Sequence, residues 1–148
     1  MKKILSILLI LVIAFSFAAC NQPQGDPVGE ATIIVHTETD TEYTVELSKV
    51  GEPYTVIKAL DYLKAEKGLE LVYTNESWGA YITQVGSLKE DKANYKYVMF
   101  WTSVEEDFDV VSEYATEKTV KETKLVSSAV GVSTAVLRDG AIIYFSFD

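Results

Sequence analysis

The stretch Tyr97–Ser103, "YVMFWTS", is almost wholly apolar and decides how this chain must fold. Successive side chains of a β-strand point to opposite faces of its sheet. As a strand, the stretch places apolar side chains on both faces, with Tyr97, Met99 and Trp101 on one and Val98, Phe100 and Thr102 on the other. Neither face is polar enough to be solvated, so each needs a cover.

A single amphipathic helix is predicted within "YTVIKALDYLKAEKG", Tyr54 to Gly68. Thr55 is placed to cap its start, and Gly68 is placed to end it in a left-handed conformation. Leu60 and Leu63 belong to its one apolar stripe, which predicts packing against one face of a sheet. We expect Ile143 and Phe145 among the neighbours of these two leucines.

The helix can cover only one face of the "YVMFWTS" strand. Tyr97 and Trp101 carry a hydroxyl and an indole N–H that a dry core would leave without partners, whereas Val98 and Phe100 carry no polar atom. We therefore assign Val98 and Phe100 to the helix-covered core. Tyr97, Met99 and Trp101 are expected to face a second sheet or a partly open cleft, which Trp78 and Tyr81 would help to wall.

Strands are predicted at 31–37 and at 42–47, where apolar and polar residues alternate, and further strands in "LELVYT", "AYITQVG" and 141–147, the last of them apolar on both faces. Asp139-Gly140 marks the turn before the last strand. The sequence predicts an α+β fold, mostly antiparallel, with one main helix packed on a sheet.

The N-terminus, "MKKILSILLILVIAFSFAAC", has a short basic region, an apolar run and small residues before the only cysteine. This pattern is typical of a secretory signal. Phe17–Cys20 resembles the lipobox of bacterial lipoproteins, with Phe17 where that family usually has Leu, which implies that Cys20 is acylated, for example with palmitate. The alternative is an ordinary secretory signal with a coincidental cysteine. The predicted organisation is a signal peptide at 1–19, lipidated Cys20 with a flexible tether at 20–30, and one domain at 31–148.

The chain is acidic, with a net charge of −9, and becomes more acidic still once Lys2 and Lys3 are removed with the signal. Nucleic-acid binding relies on basic patches, and adhesion to anionic lipid relies on basic segments. The charge therefore argues against both classes of partner.

Catalytic patterns are missing from the sequence, so we predict no enzyme. His36 is the only histidine and lies in an apolar strand, and no G-x-S-x-G elbow, phosphate loop or metal-spaced Cys/His cluster accompanies it. The acidic run Glu105–Asp109 could offer oxygens to calcium, but it lacks the spacing and central glycine of a calcium loop. A solvated acidic loop is the favoured interpretation of this run.

The excess of aromatic residues is the most informative functional signal. Apolar, aromatic pockets are typical of small-molecule sites, and we take as candidate ligand-binding residues Trp78, Tyr81, Tyr97 and Trp101. The alternative is that these side chains only fill the core and pair across strands.

The order of these segments resembles the transcobalamin-like C-terminal domain family, formerly a domain of unknown function, often found in bacterial surface proteins. The resemblance covers 31–147, and its most specific parts are the segment 81–88, "YITQVGSL", and the pair Gly131-Val132-Ser133 and Asp139-Gly140. The chain departs from the family pattern at "WTSVEEDFD", which replaces an Asn-Gly turn, and at Ala141, where Asp is common.

The resemblance implies a β-grasp, ubiquitin-like core similar to the β-rich domain of vitamin B12 carriers. In those carriers this domain closes over a corrin ring held by a helical domain, which this sequence lacks. The first functional hypothesis is a membrane-anchored, extracytoplasmic binding lipoprotein with no resident cofactor, whose ligand is cobalamin, another corrinoid or another small molecule taken up by the cell. The alternative is a surface protein–protein interaction module, which binds a transporter or surface protein and no small ligand.

Overall fold

The structure of this chain is a computed structural model that describes residues 23–147. These residues form nine strands and two α-helices. In chain order they are β1 (Glu30–His36), β2 (Asp40–Glu46), α1 (Leu47–Val50), α2 (Val56–Lys67), β3 (Leu71–Glu76), β4 (Gly79–Val85), β5 (Leu88–Lys89), β6 (Val98–Thr102), β7 (Glu117–Val120), β8 (Thr123–Ser127) and β9 (Ile142–Phe147). Short 3₁₀ turns lie at Lys92–Asn94 and Glu105–Asp107.

The strands form a large sheet and a small one. The large sheet has the order β2-β1-β9-β6-β8-β7, and the small sheet has the order β3-β4-β5. Seven strand pairings build them, and β1 with β9 is the only parallel pair among the described residues. The expectation of a mostly antiparallel, β-rich fold is therefore confirmed at this level.

Helix α2 begins and ends where the sequence predicts. Thr55 is its N-cap residue, although its buried hydroxyl makes no hydrogen bond, and Gly68 ends the helix with φ 68° and ψ 24°. Leu60 and Leu63 have no exposed surface and share the main core with Ile143 and Phe145. The helix thus covers one face of the large sheet, as its single apolar stripe predicts.

The two faces of β6 belong to different clusters. Val98 and Phe100 pack against the main core, whereas Trp101 joins Ile34, Leu125 and Tyr144 in a second cluster on the other face. The predicted division of β6 between two faces is confirmed, but Val98 and Phe100 lie beside Ala80 and Ile82 of β4, so the small sheet rather than the helix covers them.

The cover over Trp101 differs from the one expected. In place of a second sheet or an open cleft, the Lys118 ammonium of β7 lies 4.0 Å from the centroid of the Trp101 ring. Lys118 belongs to the edge strand of the same sheet. Trp101 is completely buried as a result.

The acidic run is only partly solvated, which corrects the sequence-based interpretation. Asp107 is 5% exposed, and its Oδ2 accepts a hydrogen bond from the Val136 N–H at 2.9 Å. Burial raises the pKa of the Asp107 carboxyl, while the Val136 hydrogen bond opposes that shift. Glu106 pairs with Arg138, so this acidic loop is fastened to the rest of the domain.

The fold begins before the predicted domain boundary at residue 31. The Gly25 N–H donates to Pro53 O at 2.9 Å, and the Asp26 N–H donates to Leu137 O at 2.8 Å. The prediction of a flexible tether up to residue 30 is wrong for this part of the chain. The predicted signal peptide at 1–19 and Cys20 lie outside the described residues. Within 23–147, no helix has the length and apolarity to cross a bilayer.

Candidate functional site

A groove of about 530 Å³ lies where β6 begins and β9 ends. We call it the β6 groove. It is lined by Tyr95, Lys96, Tyr97, Met99, Glu113, Tyr114, Ala115, Thr116 and Phe147. Its volume lies within the 300–1,000 Å³ range typical of small-molecule sites.

The walls of the β6 groove are unusually exposed for apolar residues. Tyr95 is 83% exposed, Tyr114 is 81% exposed, and Tyr97 and Met99 are each somewhat over 40% exposed. Large exposed apolar residues gathered around one concavity mark a binding surface more often than isolated ones do.

A tight turn presents Tyr95 to the groove. The backbones of Asp91 and Lys96 exchange two hydrogen bonds of 2.9 Å, and the Asp91 carboxylate accepts a 2.6 Å hydrogen bond from Asn94 Nδ2. The Asn94 side chain is the main reason that the pKa of Asp91 is lowered. Tyr95 lies within this turn with φ 56°, a left-handed backbone that directs the chain toward β6.

The opposite wall of the groove is fastened to the second core cluster. Thr116 Oγ1 accepts a 2.9 Å hydrogen bond from the Trp101 indole N–H, and the Thr116 N–H donates to Ser127 Oγ at 3.0 Å. The buried indole therefore holds in place the loop that carries Tyr114.

The groove contains one basic and one acidic side chain. Lys96 Nζ lies 5.6 Å from the Phe147 ring centroid, and Glu113 lines the groove nearby. A ligand here would meet aromatic faces, tyrosine hydroxyls and one charge of each sign. This arrangement suits an apolar, planar body with polar substituents.

A second, smaller pocket of about 120 Å³ lies on the other face of β6. We call it the Trp78 pocket. Trp78 and Tyr81 meet edge to face with ring centroids 6.0 Å apart, beside Val98 and Phe100. The hydrogen bond from Tyr81 Oη to Glu90 raises the pKa of Tyr81 to about 12. This phenol therefore stays neutral, and its O–H already donates to Glu90.

The structure does not bring the four candidate residues together. Tyr97 lines the β6 groove, Trp78 and Tyr81 line the Trp78 pocket on the opposite face of β6, and Trp101 is buried between strands with no exposed surface. The expectation that Trp78 and Tyr81 wall the same cleft as Tyr97 is wrong, because they pack beside Val98 and Phe100.

Sequence reasoning did not single out Tyr95 and Tyr114 as site residues. Both stand alone in polar segments, Tyr95 in "KANYK" and Tyr114 in "SEYATE". A lone aromatic residue in a polar loop has no apolar neighbours in the sequence with which to form a core. This isolation is the feature of the sequence that could have identified both tyrosines as site residues.

His36 lies away from both pockets. Its Nδ1 is 2.7 Å from Asp40 Oδ1, and its ring stacks on Tyr144 with centroids 5.8 Å apart. Among residues 23–147, no group of three or more His, Cys, Asp or Glu side chains is placed to hold a metal ion.

No family model matches the chain, and no curated protein matches it. Among solved structures it is similar to haptocorrin, crystallised in complex with Cbi, with a TM-score of 0.50 and 14% sequence identity. That match covers 80% of this chain and 25% of the haptocorrin chain. At this identity the similarity shows the fold alone, and this chain spans about a quarter of the haptocorrin chain.

Proposed function

We propose that this chain is an extracytoplasmic lipoprotein, anchored to the cell membrane through lipid on Cys20, whose domain binds a small ligand without catalysing a reaction. The observation that carries the binding role is the β6 groove with its exposed Tyr95, Tyr97, Met99 and Tyr114. Cobalamin or another corrinoid is the first candidate ligand, and uptake of that ligand is the cellular role.

Two features support a corrinoid. A corrin is a broad macrocycle with an apolar face and polar amide substituents, which matches aromatic walls bearing hydroxyl tips. The fold is also similar to that of haptocorrin, whose solved structure contains Cbi. Of the four candidate ligand-binding residues, this proposal assigns a ligand contact to Tyr97 and none to Trp78, Tyr81 and Trp101.

We also propose that the domain has a β-grasp core. A β-grasp core is supported by the parallel pairing of β1 with β9 inside the large sheet and by helix α2, which follows the β1–β2 hairpin and packs on one face. The three further strands of the small sheet and the β7–β8 hairpin are additions to such a core.

The groove is too small to enclose a whole corrinoid. A cavity of about 530 Å³ would cover one part of such a ligand and leave the remainder open. A second protein of the uptake system would supply the opposite wall, because this chain corresponds to about a quarter of the haptocorrin chain.

The ligand is tested by titrating the mature chain with cobinamide, cobalamin and a panel of tetrapyrroles, followed by absorbance and calorimetry. Y114A and Y97A should each weaken binding about tenfold, which corresponds to about 1.4 kcal/mol. W78A is the matched control, because Trp78 is also an exposed aromatic but lies in the other pocket. Equal weakening by W78A, or no binding of any compound in the panel, would contradict the proposal.

The anchor is tested separately in cells. C20A should leave the precursor uncleaved or release the protein from the membrane fraction, because attachment requires the acyl chains. Mass spectrometry of the wild-type N-terminus should find lipid on Cys20. A C20A chain that remains membrane-bound and fully processed would rule out this anchor.

A protein partner is the second candidate, and one observation favours it. Strand β6 pairs with β8 only at Trp101 and Thr102, so within the described residues Val98–Phe100 has no strand on that side. The Ser103 N–H donates to Ile142 O, which by alternation directs the N–H and C=O groups of Val98 and Phe100 toward this open edge. An extended peptide could add to it as a further strand.

Photo-crosslinking from position 99 in cells distinguishes the two candidates. A protein crosslink that V98P abolishes would favour the interaction module, because proline removes an N–H from the open edge. Corrinoid binding that V98P leaves intact, without any protein crosslink, would favour the ligand site.

A further inference from the structure

The N-terminal segment leaves the domain at one fixed place. Arg138 Nη1 donates to Gln24 O at 2.9 Å and to Asp26 Oδ1 at 3.0 Å, and Asp26 Oδ2 accepts from the Asp139 N–H at 2.9 Å. Gly25 is buried, and a Cβ at this position would lie 2.5 Å from Leu137 O and nearer still to Tyr54 O. The chain therefore cannot swing freely until it has passed Gly25 toward its N-terminus.

This fixed exit limits how far the domain can stand from a lipid on Cys20. Four peptide steps separate Cys20 from Gln24, whose carbonyl Arg138 holds, and fully extended they reach about 14 Å. A domain of this size has a radius of gyration of about 14 Å, hence a radius of about 18 Å. The tether is thus shorter than the domain's radius, and the surface around Pro23 must face the bilayer.

The surface around Pro23 includes an exposed tryptophan. Pro23 shares a small pocket with Thr55 and Ser133, and Ser133 Oγ accepts a 2.8 Å hydrogen bond from the Ala80 N–H. Trp78 lies just before β4, the strand that contains Ala80, and is 62% exposed. We call these residues, Pro23, Ser133 and Trp78, the tether-side surface.

Along β9, the β6 groove lies at the end remote from Asp26. Asp26 binds the Asp139 N–H just before β9 begins, whereas the groove contains Phe147, the last residue of β9. A strand of this length spans about 20 Å. The Trp78 pocket lies beside Val98 and Phe100, on the face of β6 opposite to Tyr97 and Met99. A domain held by its tether-side surface therefore keeps the Tyr97 side of the groove away from the lipid.

We infer that the lipid surface itself is the partner of the tether-side surface, with the Trp78 indole at the level of the headgroups and the β6 groove directed away from the bilayer. Tryptophan is favoured at membrane–water interfaces, where its ring is apolar and its N–H stays hydrated. The inference rests on the proposed lipid anchor at Cys20. It goes beyond that anchor by fixing which face of the domain meets the membrane.

The test attaches the mature chain to vesicles chemically, so that it does not depend on lipidation in the cell. Cys20 is the only cysteine, and its thiol can be coupled to a maleimide-bearing phospholipid in phosphatidylcholine vesicles. The vesicles contain lipids brominated near the headgroup end of the acyl chains, which quench nearby indoles. Trp78 and Trp101 are the only tryptophans, and Trp101 is buried, so a change in emission reports Trp78.

Coupled protein should lose the Trp78 share of its emission and shift to shorter wavelength, whereas W78F should show neither change. The matched control carries W78F with Y114W, which moves the exposed indole to the groove, and its emission should not be quenched. Unquenched Trp78 in the coupled wild type, or equal quenching of the indole at position 114, would overturn the inference. Either result leaves the lipid anchor standing, because fractionation of C20A tests the anchor independently.

Discussion

Trp101 shows at the scale of one residue how far a physical argument from sequence reaches. Because its indole carries a polar N–H, Trp101 was predicted to face away from helix α2, and this prediction is correct. The partner that satisfies this tip, Thr116 Oγ1, lies fifteen residues further along the chain in a polar loop. Strand periodicity sets the face of a side chain, but it carries no information about which distant loop folds over it. Sequence reasoning therefore placed Trp101 in a candidate site that the loop has closed.

Asp107 gives a prediction about pH. Its folded-state pKa is raised by burial, so the folded state holds the proton more tightly than the unfolded state does. This carboxyl therefore favours folding most at low pH, and its contribution to stability declines as the pH rises from about 4 toward the raised pKa. D107N should therefore gain stability relative to wild type as pH rises through this window, because the amide oxygen can still accept from Val136.

Urea unfolding of wild type and D107N from pH 4 to pH 7 measures this difference. D107A should cost about 1–3 kcal/mol across the range, since it leaves the buried Val136 N–H without an acceptor. E105Q is the control, because Glu105 is exposed on the same turn. A stability difference between D107N and wild type that does not change with pH would contradict the assignment.

At the scale of elements, helix α2 was predictable and the pairing of β7 with β8 and β6 was not. The helix follows from local signals, since its apolar stripe recurs at 3.6 residues and Gly68 stops it. Strands β7 and β8 are short, and β7, "EKTV", carries no apolar alternation of its own. Their position is fixed by pairing with one another and with β6, which are contacts between distant segments that no local window contains. The same reason explains why the β6 groove, built from three separate segments, could not be assembled from sequence.

The packing of α2 is tested by L60A. Leu60 is completely buried in the main core, so the truncation should lower the free energy of unfolding by about 2–5 kcal/mol. E66A on the exposed side of the same helix should change it by less than about 0.5 kcal/mol. Chemical denaturation of the three proteins gives both numbers. A loss well under 1 kcal/mol for L60A would place the packing face of the helix elsewhere.

At the scale of the whole molecule, the N-terminal segment changes how the domain is used. Polar residues with proline and glycine read as a linker, and "NQPQGDPVGE" has that composition. The same composition also suits a segment that needs a glycine to pass between two carbonyls and an aspartate to meet Arg138. Composition describes what a segment can do when free, whereas docking depends on the complementary surface of Tyr54, Leu137 and Arg138. A linker of eleven residues would let the domain turn in any direction above a membrane, and the docked segment removes that freedom.

The docking of this segment is tested by crowding Gly25 and, separately, by deletion. G25A should push the segment off Tyr54 and Leu137, which breaks the Asp26–Arg138 pair and costs about 1–3 kcal/mol. A chain that begins at Ala31 should lose at least as much relative to one that begins at Pro23, because the deletion removes the same contacts together with the hydrogen bonds of Gly29 and Glu30. G131A is the matched control, since a Cβ there would meet nothing within 4 Å. Thermal unfolding of the four chains decides the matter. If the chain that begins at Ala31 is as stable as the one that begins at Pro23, the segment adds nothing to the fold. The domain would then be free to turn on its tether, and the β6 groove would have no fixed direction.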